Sequence, residues 1–177
     1  MTNESKPENS GTVSYPAYTV PEHILSRFPV APRSIWKDAA EKDWNNWIWQ
    51  QQQRVRNLEG LEKVIRVTDE EKKAYEGSVE MFNMSITPYY ASLMDPDDPN
   101  CPIRLQAVPK LGELHISPED LEDPLAEERD MPVPGLTHRY PDRVLFYTTH
   151  NCAMYCRFCT RKRKVSDPGS AAQKQQL

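Results

Sequence analysis

Between residues 34 and 57, mostly apolar side chains, with one glutamine among them, recur at the spacing of an α-helix. The positions that carry the pattern follow one another at steps of three, one, three and four: Trp44, Trp47, Ile48, Gln51 and Val55. Such steps place side chains on one face of a helix, so the pattern predicts an amphipathic helix across this stretch. Large aromatic side chains are usually buried, which favours core packing for the tryptophans over a base-stacking or ligand-binding platform.

Three shorter helices are predicted further along. They cover residues 58–66, a stretch from Thr68 toward Tyr75, and a stretch from Thr87 through residue 94. In the first, Leu61, Val64 and Ile65 are predicted to face inward. The second begins with a capping box, a threonine followed three residues later by a glutamate. The third begins with a proline at its first helical position. Residues 34–94 are therefore predicted to form a helical region.

Residues 95–142 have a different pattern, because prolines and acidic turns dominate them. Such composition predicts an extended, Pro-rich segment that runs across the surface of a larger body. Residues 143–149 then form an apolar, aromatic and β-branched run that is typical of a buried strand. The sequence offers no second convincing strand. We therefore expect this strand to lack a partner, and the chain to be poorly stable on its own.

Both ends of the chain are polar. Residues 1–33 are Pro-rich and without a sustained period, which predicts a flexible lead-in. Residues 168–177 are low in apolar side chains and form an atypical tail that does not continue an α/β pattern. The stretch 143–167, before the tail, combines the predicted strand with a loop of cysteines.

Composition limits the classes of function. The 177-residue chain has a formal net charge of -4, too mild for general nucleic-acid binding. No stretch approaches the ~18 apolar residues that a membrane span requires, and the N-terminus lacks the pattern of a signal peptide. We therefore expect a cytoplasmic protein without nucleic-acid or membrane partners. In that compartment its four cysteines would be metal ligands or free thiols rather than disulfides.

Three of the cysteines follow the predicted strand at spacings of four and three residues: Cys152, Cys156 and Cys159. Three thiolates can hold three corners of a cubic iron–sulfur cluster, which leaves the fourth iron open to a small molecule. A structural zinc site needs four ligands, and His150 or the distant Cys101 would have to complete it. A non-catalytic zinc or iron–sulfur module is therefore the alternative interpretation.

A basic run at residues 161–164 follows the cysteines. Most such runs are solvated surface, although they also resemble nucleic-acid patches. A guanidinium two residues beyond Cys159, that of Arg161, can instead clamp a carboxylate with two parallel hydrogen bonds. The spacing alone does not separate these interpretations.

Longer motifs place the cysteines in a known context. Residues 116–125, 132–145 and 152–161 resemble the lysine 2,3-aminomutase family of radical S-adenosylmethionine enzymes, with the runs Pro-Val-Pro-Gly-Leu-Thr-His-Arg-Tyr-Pro-Asp-Arg-Val-Leu and Cys-Ala-Met-Tyr-Cys-Arg-Phe-Cys-Thr-Arg. The resemblance covers roughly residues 34–167. Phe158 stands where the lysine branch commonly has histidine, which leans toward the glutamate 2,3-aminomutase branch.

The resemblance implies a fold and a set of cofactors. The fold would be α/β, with a helical N-terminal region before the first strand and cluster loop of an incomplete, partial TIM-type barrel. The cofactors would be a [4Fe-4S] cluster, S-adenosylmethionine and pyridoxal phosphate, used to move the amino group of lysine or glutamate from C2 to C3. The implied partners are a reducing protein such as a flavodoxin or ferredoxin and, at full length, further copies of the chain. A relative that modifies a lysine on a protein is the alternative within the family.

The resemblance also assigns roles to individual residues. They are Cys152, Cys156 and Cys159 as iron ligands, Phe158 near the adenosyl group, Tyr140 and Arg143 at pyridoxal phosphate, and Arg161 at the substrate carboxylate. It implies no catalytic residue in this chain, because the lysine that joins pyridoxal phosphate lies in a Gly-rich loop far downstream in the family. We therefore expect an N-terminal portion of an aminomutase that is inactive alone.

Overall fold

The computed structural model describes residues 33–165, which form short helices and a two-stranded sheet. The α-helices are α1 (Glu41–Trp44), α2 (Trp47–Gln52), α3 (Leu58–Glu62), α4 (Asp69–Ser78), α5 (Pro88–Ser92), α6 (Pro102–Ala107) and α7 (Lys162–Val165). Two 3-10 helices cover Ser34–Trp36 and Leu111–Leu114, and the strands are β1 (Leu136–Tyr140) and β2 (Arg143–Phe146). No helix within residues 33–165 combines the length and apolarity needed to cross a membrane. The predicted lead-in, up to residue 32, and the predicted tail at 168–177 lie outside the described residues.

The stretch predicted as one amphipathic helix is broken into three pieces, so that prediction is wrong. The second of the two breaks falls at Asn46, whose side chain accepts a hydrogen bond from the amide of Ile48 (2.9 Å) and caps α2. A short polar side chain that satisfies a free amide favours a new helix start over continuation. Trp44 packs among aromatic rings, but Trp47 is 72% exposed. Core packing is therefore wrong for Trp47, while Trp44 is half-buried among other rings outside the core cluster.

The core lies inside the helical region. Two of the three side chains predicted to face inward from residues 58–66 are fully buried, Leu61 and Ile65. Val55 and Ile86 exchange backbone hydrogen bonds of 2.8 and 3.0 Å beside them. Each fully buried aliphatic side chain contributes about 1.5–3 kcal/mol. The buried cluster consists of Val55, Leu61, Ile65, Met84, Ile86, Ala91, Met94, Ala107 and Val108.

Both predicted helix starts are confirmed. At α4, the hydroxyl of Thr68 accepts from the amide of Glu71 (3.2 Å), and the Glu71 carboxylate accepts from the amide of Thr68 (2.9 Å). At α5, Pro88 occupies the first turn. Glu71 also binds Arg104 of α6 through contacts of 2.9 and 2.6 Å, and both side chains are fully buried. This ion pair joins α4 to α6.

The Pro-rich segment is more ordered than its composition predicted. It contains α6, the 3-10 helix at Leu111–Leu114 and strand β1. Pro102 stands at the start of α6, where a missing amide hydrogen costs nothing. The prediction of a purely extended segment is therefore wrong for the two helical elements, while β1 is extended but paired in a sheet.

The strand predicted to be alone has a partner. β1 and β2 pair antiparallel, with Leu136 opposite Phe146 and Tyr140 opposite Arg143. The turn at residues 141–142 reverses the chain between them. The predicted burial is also wrong, because all four residues of β2 are exposed and the first buried side chain is that of Tyr147. The expectation of poor stability rested on a strand without a partner, and that argument no longer applies. Poor stability of the chain on its own stays an untested prediction.

Candidate metal centre and anion cleft

The cysteine loop follows β2 and brings three thiols together. Cys152 is exposed, Cys156 and Cys159 are half-buried, and none forms a disulfide. Burial raises the pKa of the Cys152 thiol, and the neighbouring thiols of Cys159 and Cys156 raise it further. The backbone amide of Arg161 donates a 3.4 Å hydrogen bond to the Sγ of Cys159. The loop therefore gathers sulfur ligands and supplies at least one donor to them.

The donor set of this loop, three cysteine thiols, is one that an iron–sulfur cluster accepts. The distance from a zinc ion to each thiolate sulfur is about 2.3 Å, so the sulfurs of a zinc site must lie close to one another. Among residues 33–165, no three His, Cys, Asp or Glu side chains are arranged to hold such an ion. A cluster carries its own sulfides between the irons and so accepts three cysteines spread along one loop.

The residues named to complete a zinc site are engaged elsewhere. The Sγ of Cys101 accepts a hydrogen bond from the amide of Asp95 (3.3 Å), at the start of α6. His150 is buried, with its ring 5.4 Å from that of Tyr147. Both residues therefore already make contacts within the described part of the chain.

The cysteine loop lies against the helical region through several contacts. A guanidinium nitrogen of Arg54 donates to the carbonyl of Cys152 (3.0 Å). The ring of Tyr155 stacks on that of Phe82 at 5.7 Å between centroids, and the Tyr155 amide donates to the carbonyl of Ser85 (2.9 Å). These contacts hold the first half of the loop in one place.

Arg157, between Cys156 and Phe158, is the most tightly bound residue of the loop. Its Nε and Nη2 donate to the carboxylate of Glu113 at 2.9 and 2.7 Å. Its Nη1 donates to the carbonyls of Phe82 (3.1 Å) and Asn83 (3.4 Å). Sequence reasoning missed both Arg157 and Glu113. The only local signal was an arginine inside the ligand motif, which says nothing about a partner 44 residues away.

Three of the predicted site residues line one cleft with a volume of about 280 Å³. Its lining includes Tyr140, Arg143 and Arg161, and the guanidinium of Arg143 lies 4.8 Å from the centre of the Tyr140 ring. Arg139 adds a positive charge to the lining, and the carboxylate of Glu127 adds a negative charge. Each of these guanidinium groups also lies near a carboxylate: Arg139 near Asp130 (3.0 Å), Arg143 near Asp142 (3.5 Å) and Arg161 near Glu127 (2.5 Å). Guanidinium groups are the side chains best shaped to bind a carboxylate or phosphate, so the cleft offers three groups of the type that an anion would need.

Glu127 holds Arg161 at the cleft and was also missed from the sequence. Its carboxylate accepts from the Nε of Arg161 (2.9 Å) and from Nη2 (2.5 Å), and the residue is 4% exposed. Burial opposes ionisation of Glu127, but hydrogen bonds from Arg161 and Tyr147 outweigh it, so its pKa lies below the ordinary value. The hydroxyls of Tyr147 and Thr137 lie 2.8 Å apart in the same network.

The remaining sequence-predicted positions lie at the surface. Phe158 is 68% exposed and does not line the cleft. The basic run is partly neutralised, because Arg163 binds Asp123 (2.9 Å) and Glu128 (3.3 Å). Arg161 is the residue that connects the two parts of the site, since its amide reaches a cysteine and its side chain reaches the cleft.

Curated proteins with similar sequences share one activity in their names. L-lysine 2,3-aminomutase of Bacillus subtilis (strain 168) is 54% identical over 143 residues, 81% of this chain and 30% of its own length. L-lysine 2,3-aminomutase of Clostridium subterminale is 54% identical over 129 residues, 73% of this chain and 31% of its own. The chain belongs to the lysine 2,3-aminomutase family. It spans about a third of the length of these relatives, and no protein-family model matches it.

A glutamate 2,3-aminomutase is also similar to this member of the family. The protein from Clostridioides difficile (strain 630) is 41% identical over 133 residues, 75% of this chain and 31% of its own length. That identity is lower than the 54% shared with the two lysine aminomutases. The comparisons therefore include both branches, and the lean toward glutamate from Phe158 stays a prediction.

Proposed function

We propose that the chain is the N-terminal portion of a radical S-adenosylmethionine, pyridoxal-phosphate-dependent amino-acid 2,3-aminomutase. The observation that carries the proposal is the adjacency of two sites, a loop of three cysteines and a guanidinium-lined cleft, joined at Arg161. The kinship with lysine 2,3-aminomutases over four fifths of the chain supports it. Lysine is the first candidate substrate and glutamate the second.

In this proposal each residue of the site binds or orients. Cys152, Cys156 and Cys159 hold three irons of a [4Fe-4S] cluster and leave one iron open. Arg143 offers a planar fork to a phosphate, with the Tyr140 ring against its guanidinium. The bound cofactors supply the radical and the carrier for the migrating amino group. A flavodoxin or ferredoxin would deliver the electron.

Arg161 receives the substrate carboxylate in the same proposal. Its guanidinium is already oriented by Glu127, which binds the edge formed by Nε and Nη2. Because Glu127 is buried and ionised, it fixes the position of the positive charge at the cleft without filling the cleft itself. A carboxylate that enters the cleft therefore meets a guanidinium that needs little reorientation.

The metal content of the purified chain tests this proposal. After anaerobic reconstitution with iron and sulfide, we expect iron and inorganic sulfide in equal amounts in the wild-type chain. Cys152→Ser, Cys156→Ser and Cys159→Ser should each lose most of that iron, because each removes one ligand.

Cys101→Ser is the matched control, since Cys101 is a buried cysteine outside the loop. It should keep the full iron and sulfide content. One zinc per chain would instead support the metal-binding module and overturn the proposal. Iron that all four serine variants retain equally would also overturn it, because the loop cysteines would then not be the ligands.

A further inference from the structure

Arg157 fixes the position of two cysteines at once. It follows Cys156 directly and precedes Cys159 by two residues, and it is 9% exposed. We propose that Arg157 and Glu113 form a positioning pair that holds the cysteine loop in the shape required for cluster binding. This inference rests on the proposed function, because it assumes that the loop binds the cluster.

The bonds of Arg157 come from three directions. The carboxylate of Glu113 lies on the 3-10 helix Leu111–Leu114, and the two carbonyls belong to the segment at residues 82–83 after α4. From a third part of the chain, the carbonyl of Gln106 on α6 accepts a hydrogen bond from the Arg157 amide (2.9 Å). The guanidinium also lies over the Phe82 ring, 4.9 Å from its centre. Three separate elements therefore determine where this part of the loop lies.

Glu113 is itself held in place. Its Oε1 accepts from the amide of Lys110 (2.9 Å), which closes a capping box at the start of the 3-10 helix. One carboxylate therefore binds both a backbone amide and the arginine of the cysteine loop. Its position does not depend on the loop alone.

The geometry specifically requires arginine. All three guanidinium nitrogens are used, two on the carboxylate and one on the carbonyls. A lysine ammonium is a point charge with no planar fork, so it cannot satisfy the carboxylate and both carbonyls together. Arg157→Lys therefore keeps the charge and removes the geometry. Between Phe146 and α7 the described loop has no helix or strand to hold it, so these side-chain bonds replace regular structure.

A chelator assay on the reconstituted full chain tests the inference. We expect Arg157→Lys to lose iron to an added iron chelator about tenfold faster than wild type, the usual effect of losing a residue that orients metal ligands. The electron paramagnetic resonance spectrum of the reduced cluster should broaden, because the loop then samples several shapes. Glu113→Gln should act in the same direction, and the double variant should add little to either single change.

Arg104→Lys is the matched control. Arg104 is also a buried arginine in an ion pair, yet among the described residues its side chain makes no hydrogen bond to the cysteine loop. It should lower the melting temperature at least as much as Arg157→Lys and leave the rate of iron loss and the spectrum unchanged.

The outcomes separate this inference from the proposed function. If wild type takes up no iron and sulfide, both fall together. If wild type loads while Arg157→Lys and Glu113→Gln keep its rate and spectrum, the inference alone is overturned. It is overturned also if Arg104→Lys loses iron as fast as Arg157→Lys, since general destabilisation would then explain the effect.

Discussion

At the scale of single residues, the site depends on arginines that are held by distant carboxylates. Arg161 binds Glu127, 34 residues earlier, and Arg157 binds Glu113, 44 residues earlier. An arginine is the suitable residue in both places, because its fork can grip a carboxylate along one edge. The charges of the site are therefore oriented before any ligand binds.

Replacing Glu127 tests whether its ion pair with Arg161 contributes more to stability than an exposed ion pair nearby does. We expect Glu127→Gln to lower the free energy of unfolding by about 1.5–3 kcal/mol, the range for hydrogen bonds to charged groups. Glu128→Gln, which removes an exposed partner of Arg163, should cost less than about 0.5 kcal/mol. Urea denaturation of the two variants measures both values, and equal losses would contradict the role given to Glu127.

The sequence predicted the local part of the site and missed the long-range part. Cys152, Cys156 and Cys159 lie within eight consecutive residues, so their spacing alone indicates that they share a loop. The partners of Arg157 and Arg161 lie at separations where a single sequence carries no pairing signal. Only the folded chain shows which carboxylate meets which arginine.

At the scale of helices and strands, short-range chemistry was again the predictable part. The capping box at Thr68 and the proline start at Pro88 involve residues a few positions apart, and both are confirmed. The prediction of a single helix over residues 34–57 was wrong because it followed the spacing of Trp47 and Ile48 and did not consider that Asn46 caps a new helix. The prediction that β2 has no partner was wrong because its partner, β1, lies in a segment whose prolines suggested extended chain without regular structure.

The ion pair between α4 and α6 should make stability depend on pH. Burial raises the pKa of Glu71, but hydrogen bonds from Arg104 and from the Thr68 amide outweigh this, so the folded pKa lies below the ordinary 4.5. A lowered carboxyl pKa stabilises the fold above its unfolded value, and this contribution is lost as pH falls through the folded value. Thermal unfolding between neutral pH and pH 3 measures the effect.

Glu71→Gln provides the comparison for that pH series. It should cost about 3–5 kcal/mol at neutral pH, because it leaves the fully buried Arg104 without its counter-charge. The difference between wild type and Glu71→Gln should shrink as pH falls below the ordinary carboxyl range. A difference that is constant down to pH 3 would contradict the assignment of the pH dependence to this pair.

At the scale of the whole molecule, the chain spans about 30% of the length of its relatives. Strand β2 exposes three apolar side chains, Val144, Leu145 and Phe146, and the first two line the cleft. In the proposed function, the rest of an aminomutase covers this surface and supplies the group that joins pyridoxal phosphate. The described part then supplies ligands and orientation.

The purified 177-residue chain should therefore turn over neither lysine nor glutamate. The reason is that it provides the cysteines and arginines of the site without the remaining two thirds of a relative's length. Chromatographic detection of β-amino acids, with the Bacillus subtilis lysine 2,3-aminomutase as positive control, measures this. Product formation by the purified chain would contradict the division of roles proposed here.

The most direct test of the central claim is the electron paramagnetic resonance spectrum of the reconstituted, reduced chain before and after addition of S-adenosylmethionine. Three cysteine ligands leave one iron open, so the account predicts a cluster signal that depends on Cys152, Cys156 and Cys159 and that changes when S-adenosylmethionine binds. A cluster signal that is identical with and without S-adenosylmethionine, or one that survives replacement of all three cysteines, would contradict it.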